Sequence, residues 1–371
     1  MKISKTLSSA NQKIPEIEGI RAIAILMVLS FHFFARWTPP IYSQNIYPYK
    51  LDMARQVSQF GYMGVQLFFM VSGFVILRSL EHQINFATFA RARIRRIFPS
   101  LCISIPIIYI FCNLLNQEFI APIPISSILP SLFLLGPDFL NQLFSTQFIW
   151  TTSVLWSLFI EIQFYLVAGL LFFRLKQYNF ITKLFVFAIS VQSLKIFLVL
   201  TKTETKTLDA LLPLSNHIWW FFAGAICYKM LNSKKNRYLQ SLSIVSILFN
   251  LILLNYESSK YNFDPIPSMM TIIFYLTFYL VTKMPKKMSF LRSTGLVWFG
   301  GISYEIYLIH ESIGISVISK INQLALFPNI LPLQLLLLTF VIISLITLSV
   351  LLKKISLKSL IMLQMFVTSR G

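Results

Sequence analysis

From about residue 20 to residue 352 the chain alternates long apolar runs with short polar ones. Runs of about 17–25 apolar residues have the length of a helix that crosses a bilayer. They recur near 20–35, 59–77, 97–115, 155–173, 180–200, 211–230, 239–256, 267–282, 295–317 and 332–352. The pattern predicts ten membrane-spanning helices. A further apolar stretch, 127–144, is interrupted by Pro130 and by Gly136-Pro137-Asp138. Whether it crosses sets the topology of everything after it.

Charge decides between the two topologies, because cytoplasmic segments carry the excess of Lys and Arg. Lys2, Lys5 and Lys13 put the N-terminus inside. If 127–144 does not cross, the runs Arg78–Arg96, Arg174–Lys183, Lys229–Arg237, Lys283–Arg292 and Lys353–Arg370 all fall inside as well. With Arg21 added, the count is then 24 basic residues inside against 8 outside. The expected fold is an all-α polytopic membrane protein with both termini cytoplasmic and 127–144 re-entrant or interfacial. No internal repeat, low-complexity tract or appended soluble domain is visible, so residues 1–371 are expected to form one membrane domain.

Composition agrees. Hydrophobic residues make up 56% and charged residues 12% of the 371, with 35 Phe spread along the length and a mean hydropathy of +0.71. Soluble domains carry about twice that share of charge. A net charge of +19 would suggest a nucleic-acid partner in a soluble protein. Here the basic residues sit between apolar runs, so the expected partner is the lipid bilayer and no nucleic acid. Cys102, Cys112 and Cys227 are widely spaced and imply neither a disulfide framework nor a metal site. The first apolar run ends Phe31-His32-Phe33-Phe34-Ala35-Arg36, without a small-x-small cleavage site.

Ionisable groups inside apolar spans are costly, so each is a candidate for function. Arg21 and His32 are eleven residues apart, about 16.5 Å along a helix and within about 20° of one face. They are either an anion site and a proton-transfer group, or a snorkelling Arg and a His bonded at the outer interface. Arg93 and Arg96 share a face of the helix entering the third span; guanidinium forks suit phosphate, and topology alone also asks for basic residues there. Glu161, Gln163 and Tyr165 lie within five residues of one span, either as a site or as interhelical glue. Tyr304, Tyr307 and His310 repeat the theme in the ninth span. Gly61, Gly64, Ser72 and Gly73 permit close helix approach.

These motifs, taken together and in order, resemble the membrane acyltransferase-3 family. Ile17-Glu18-Gly19-Ile20-Arg21, followed by His32, resembles its opening helix. Gly64 to Phe74 is similar to G-V-x-L-F-F-x-x-S-G-F, and Arg93 to Pro99 to R-x-x-R-I-x-P. Ser157 to Leu166 is similar to S-L-x-x-E-x-Q-F-Y-L, and Ile302 to His310 to I-S-Y-x-x-Y-L-x-H. Five motifs cover residues 17–310. The departures are Glu18 where the family usually has Asp, and Ile162 where a second acid often follows Glu161. Some members also carry a C-terminal hydrolase-like domain, whereas this chain stops soon after the tenth span.

The resemblance implies a multi-pass protein of the bacterial cytoplasmic membrane. It further implies O-acylation, commonly O-acetylation, of an extracytoplasmic carbohydrate such as O-antigen or exopolysaccharide. Acetyl-CoA or another acyl-CoA is then the co-substrate, with no bound cofactor and no metal. On this reading His32 is the general base, directly or through an acyl-histidine, and Glu161 fixes its tautomer. Arg21, Arg93 and Arg96 hold the coenzyme's phosphates, with Glu18, Ser72, Ser157, Gln163, Tyr165, Tyr304 and His310 in support. Trp37, Tyr42, Tyr47, Tyr49 and Trp150 are available to stack on sugar rings. The rival class is a proton-coupled transporter or flippase of a small anionic or glycan-related solute, against which stands the lack of duplicated halves or paired broken helices.

Overall fold

The computed structural model describes residues 14–39, 41–42, 51–115, 122–174, 179–231, 233, 236–258, 265–324 and 330–368. Among these, the regular elements are all helical. In a bilayer this follows from the need of each backbone N–H and C=O for an internal partner. In chain order the α-helices are α1 (Pro15–Phe34), α2 (Asp52–Ser58), α3 (Gly64–His82), α4 (Phe86–Leu115), α5 (Ile128–Leu132), α6 (Pro137–Phe144), α7 (Leu155–Arg174) and α8 (Phe180–Leu200). They continue with α9 (Lys206–Leu211), α10 (Ile218–Leu231), α11 (Arg237–Ser258), α12 (Pro265–Lys283), α13 (Thr294–Gly301), α14 (Ser303–Ile309), α15 (Ser316–Gln323) and α16 (Leu331–Thr368).

Eight helices among the described residues are long and apolar enough to cross a membrane. They account for eight of the ten expected spans. The other two take different forms. The expected span 211–230 is a 14-residue helix, α10, only about 21 Å long, preceded by the short α9 and a 3-10 turn. The expected span 295–317 is broken at Ile302 and interrupted by a π-turn at His310–Ile315. Stretch 127–144 splits into α5 and α6, each far too short to cross alone, with Leu134 and Ser145 in the left-handed region. The Arg91–Arg96 run is helical, as expected for the helix entering the third span. It lies on α4, which begins eleven residues before the apolar run.

The residues group into two compact units. The first comprises Met1–Ala24, Met63–Arg91 and Ile160–Gly300. Its centre is α10, almost wholly buried although too short to span. Short length suits this place: α10 is covered by protein rather than lipid, and Gly73 and Gly224 let it lie directly against α3. A Cβ on Gly73 would stand 1.9 Å from the Phe221 carbonyl oxygen, and one on Gly224 would stand 1.8 Å from that of Met70. Small residues at such crossings let backbones touch and gain dispersion contacts that lipid cannot match. Phe69 and Phe164 stack on Phe221 at 4.7 and 4.3 Å. Ser246 donates to or accepts from Tyr275 at 2.6 Å, and Asn250 donates to the same hydroxyl at 2.9 Å, tying α11 to α12. Lys283 donates to the Met230 carbonyl at 2.6 Å and caps the end of α10.

The second unit comprises Ile25–Tyr62, Ala92–Phe159 and Gly301–Gly371. Here α5 serves as a support. The buried hydroxyls of Ser127 and Ser131 accept from the backbone N–H groups of Ile149 and Thr151 at 3.1 and 3.0 Å. This pins an extended segment that no neighbouring strand holds, and delivers residues 151–153 to the start of α7. Trp37 meets Tyr42 edge to face and lies under the Arg36 guanidinium; Trp150 packs on Phe159. Tyr47 and Tyr49 lie outside the described residues.

Candidate active site

His32 sits in the last turn of α1. Its Nδ1 lies 3.4 Å from Oε1 of Glu311, and both side chains are largely buried. Ser153, at the entrance to α7, donates its hydroxyl to the second carboxylate oxygen of Glu311. The Glu311 carboxylate is therefore held on both sides, by a hydroxyl and by an imidazole. A carboxylate accepts and does not donate, so in this pairing the proton of the facing ring nitrogen lies on Nδ1 of His32.

The π-turn explains why Glu311 can reach His32. In an α-helix, His310 and Glu311 would continue the ladder of α14, and their side chains would be fixed by its 3.6-residue period. The wider turn interrupts that ladder. The His310 backbone N–H still donates to the Ile306 carbonyl, and its ring Nδ1 approaches the carbonyl oxygens of Tyr307 at 2.9 Å and Ile306 at 3.2 Å. Carbonyls only accept, so Nδ1 of His310 is protonated and its Nε2 bears the lone pair. The His310 ring stands edge-on to His32, with centroids 4.8 Å apart. His310 is fully buried, and its Nε2 has no hydrogen-bond partner among the described residues. Tyr307 shares a 2.7 Å hydrogen bond with Ser157, which itself donates to the Val154 carbonyl. The Tyr307 hydroxyl is thus the donor in that pair and ties α14, just before the π-turn, to α7.

Of the residues singled out in the sequence, His32, His310 and Ser157 belong to this cluster. Glu161 is engaged elsewhere. Within the first unit its Oε1 accepts from Ser72 at 2.7 Å and from the Tyr165 hydroxyl, so three expected site residues do meet, as a bridge from α3 to α7. The carboxylate beside His32 is Glu311, not the expected Glu161. Gln163 reaches neither group. Its amide clamps the loop after α9, donating to the Leu211 carbonyl at 2.8 Å and accepting from the Leu214 N–H at 3.2 Å. Arg21 pairs with Glu18 one turn away at 3.0 Å. Tyr304 donates to the Ile97 carbonyl on α4 at 3.0 Å, close in sequence to Arg93 and Arg96.

The residues that sequence reasoning missed are Glu311 and Ser153. Glu311 carried a usable signal, an acid next to a His inside an apolar run. Ser153 carried none, because a serine before a helix is commonplace. Among the described residues no group of three or more His, Cys, Asp or Glu is placed to hold a metal ion.

The resemblance carried by the five motifs agrees with the family comparison. The acyltransferase domain family matches residues 14–353. The chain belongs to the acyltransferase-3 family. Among curated proteins it is similar to the O-acetyltransferase OatA of Staphylococcus aureus, 26% identical over 200 residues that make up 50% of this chain and 30% of that protein. It is also similar to the peptidoglycan O-acetyltransferase OatA of Listeria monocytogenes, 24% identical over 175 residues, 44% of this chain and 25% of that protein. The chain thus spans under a third of the length of these relatives. No solved structure matches it.

Proposed function

We propose that this membrane acyltransferase-3 protein moves an acyl group, acetyl in the simplest case, from cytoplasmic acyl-CoA to a hydroxyl of an extracytoplasmic carbohydrate. The single observation that carries this reading is the His32–Glu311–Ser153 array, with its carboxylate buried. It suits an alcohol acyl transfer: an imidazole whose Nδ1 faces a buried carboxylate.

In the proposed reaction the acceptor hydroxyl loses its proton to Nε2 of His32 as its oxygen attacks the thioester carbonyl. The ester C–O bond forms, the C–S bond breaks, and the departing coenzyme A thiolate takes the proton from the imidazolium. Glu311 stabilises that imidazolium while it exists. Ser153 keeps the carboxylate from turning away. Arg93 and Arg96 are assigned to the coenzyme's phosphates, because guanidinium forks match phosphate oxygens. A carbohydrate acceptor is in keeping with the name of the Listeria relative.

The test is direct. Membranes holding wild-type protein, His32→Gln and Glu311→Ala are supplied with acetyl-CoA labelled in the acetyl group, and alkali-labile label is followed into the glycan fraction. Wild type transfers label and both variants do not. Label transfer by a well-expressed His32→Gln protein would remove the imidazole from the chemistry.

A further inference from the structure

Glu305 is a buried acid that the proposed reaction does not use. It lies one turn before the π-turn, is 6% exposed, and sits at a variable position of the I-S-Y-x-x-Y-L-x-H pattern. A carboxylate buried in a membrane domain is costly unless its oxygens are engaged. Ser100 of α4 donates its hydroxyl to Oε1 of Glu305 at 3.0 Å. The same hydroxyl meets that of Ser356 on α16 at 3.0 Å, and Ser356 donates to the Leu352 carbonyl at 2.8 Å. Beside it, Tyr304 donates to the Ile97 carbonyl, and Lys353 donates to the carbonyl of Gly301, which ends α13. Three helices of the second unit meet at this one knot.

The position of the knot on α4 is what gives it a consequence. Arg93, Ile97 and Ser100 follow at i, i+4 and i+7 and so share a face. Between the arginines and Ser100 stands Pro99, inside the helix. Proline has no N–H to give the Arg95 carbonyl, and its ring pushes against that carbonyl. The ladder of α4 therefore does not by itself fix the arginine-bearing turn relative to the rest of the helix. Tyr304 and Glu305 grip α4 on either side of Pro99, at Ile97 and Ser100. They belong to the same short helix that continues, six residues and about 9 Å further on, into His310 and Glu311.

We infer that Glu305, with Tyr304, is a positioning residue for Arg93 and Arg96: α14 is a strut that fixes the arginine turn at one end and the His32–Glu311 pair at the other. The inference rests on the reading that Arg93 and Arg96 take the coenzyme's phosphates. The ligand class it concerns is the phosphorylated nucleotide end of acyl-CoA, not its acyl chain.

The test measures the dissociation constants of acetyl-CoA and of its 3′-dephospho analogue on the purified full chain in nanodiscs. Arg93→Ala and Arg96→Ala examine the underlying reading. Tyr304→Phe and Glu305→Ala examine the strut, and Glu305→Gln keeps an oxygen for Ser100 and serves as the conservative rescue. The expected result is weaker acetyl-CoA binding, five-fold or more, in both arginine variants, in Tyr304→Phe and in Glu305→Ala. Glu305→Gln recovers most of the loss, and the preference for acetyl-CoA over the dephospho analogue shrinks in the strut variants. Unchanged binding in both arginine variants would overturn the donor reading and the inference with it. Weakened arginine variants beside wild-type affinity in Tyr304→Phe and Glu305→Ala would overturn the inference alone. So would an equal loss for both ligands, which marks general loosening. Should Glu305→Ala fail to fold, Tyr304→Phe, which removes one oxygen, still decides.

Discussion

Glu311 Oε1 stands 3.4 Å from His32 Nδ1, although 279 residues separate the two in the chain. The pair sets the orientation of the imidazole. Glu311→Gln should therefore lower turnover by about 10²–10⁴-fold, the range of a well-placed acid–base group, because an amide no longer stabilises the imidazolium and can turn its NH₂ toward Nδ1. Acetyl-CoA affinity should stay near that of wild type. Turnover and donor affinity measured on one preparation check both halves of the expectation.

Ser153→Ala should have a smaller effect of the same kind. Removing one hydroxyl donor to a carboxylate costs on the order of 1.5–3 kcal/mol, and part of this is recovered if water reaches the oxygen. Turnover is expected to fall roughly ten-fold, with protein yield unchanged. A Ser153→Ala protein as fast as wild type would show that His32 alone holds Glu311 in place.

The crossing of α3 and α10 makes a prediction about stability. Gly73→Ala and Gly224→Ala each place a methyl under 2 Å from a backbone oxygen, and backbone cannot rotate away as a side chain can. Overpacking of this kind costs about 1–3 kcal/mol or more, and the thermal unfolding midpoint in detergent should drop accordingly. Gly295→Ala is the control, since its Cβ would meet nothing within 4 Å. Equal midpoints for all three variants would contradict the close approach.

Topology can be read with fusion reporters. A reporter after residue 145 should be extracytoplasmic and one after residue 177 cytoplasmic, following the 24-to-8 charge asymmetry. A cytoplasmic reading at 145 would mean that 127–144 crosses.

Gln163→Leu should loosen the loop after α9 without unfolding the protein. The side chain satisfies one carbonyl and one N–H there, so amide exchange at Leu214 should accelerate by roughly ten-fold, the equivalent of about 1.4 kcal/mol. Unchanged exchange at Leu214 would mean that the loop is held by Lys195, Asp209 and Asn216 instead.

Much of the fold was legible because bilayer thickness and backbone satisfaction leave few options for an apolar run. Eight long helices lie where hydropathy put them. The two exceptions have separate causes. α10 is short because protein covers it, and composition alone does not distinguish a buried apolar helix from a lipid-facing one. The ninth expected span breaks after Gly300-Gly301, a doublet that weakens a helix but does not forbid one. At the site, His32 and His310 stood out as ionisable groups in apolar runs. The carboxylate beside His32 did not, because Glu161 and Glu311 look alike in sequence and only tertiary packing assigns one to Ser72 and Tyr165 and the other to His32. That the Tyr304 hydroxyl holds α4 through the Ile97 carbonyl is a fact of packing that the sequence does not carry.

The π-turn at His310–Ile315 makes chain length, more than side-chain identity, the sensitive variable in this stretch. One residue of helix is worth about 100° of rotation. Deleting a single residue between Ser312 and Ile315 would let the ladder close as an ordinary α-helix. Ser316, now 3.9 Å from the Cys112 thiol, would be carried about a quarter-turn round the axis. The rings of His32 and His310 would survive such a deletion with their chemistry intact and lose the arrangement that pairs them. Frame-preserving single-residue deletions are therefore expected to be more damaging here than most substitutions at the same positions.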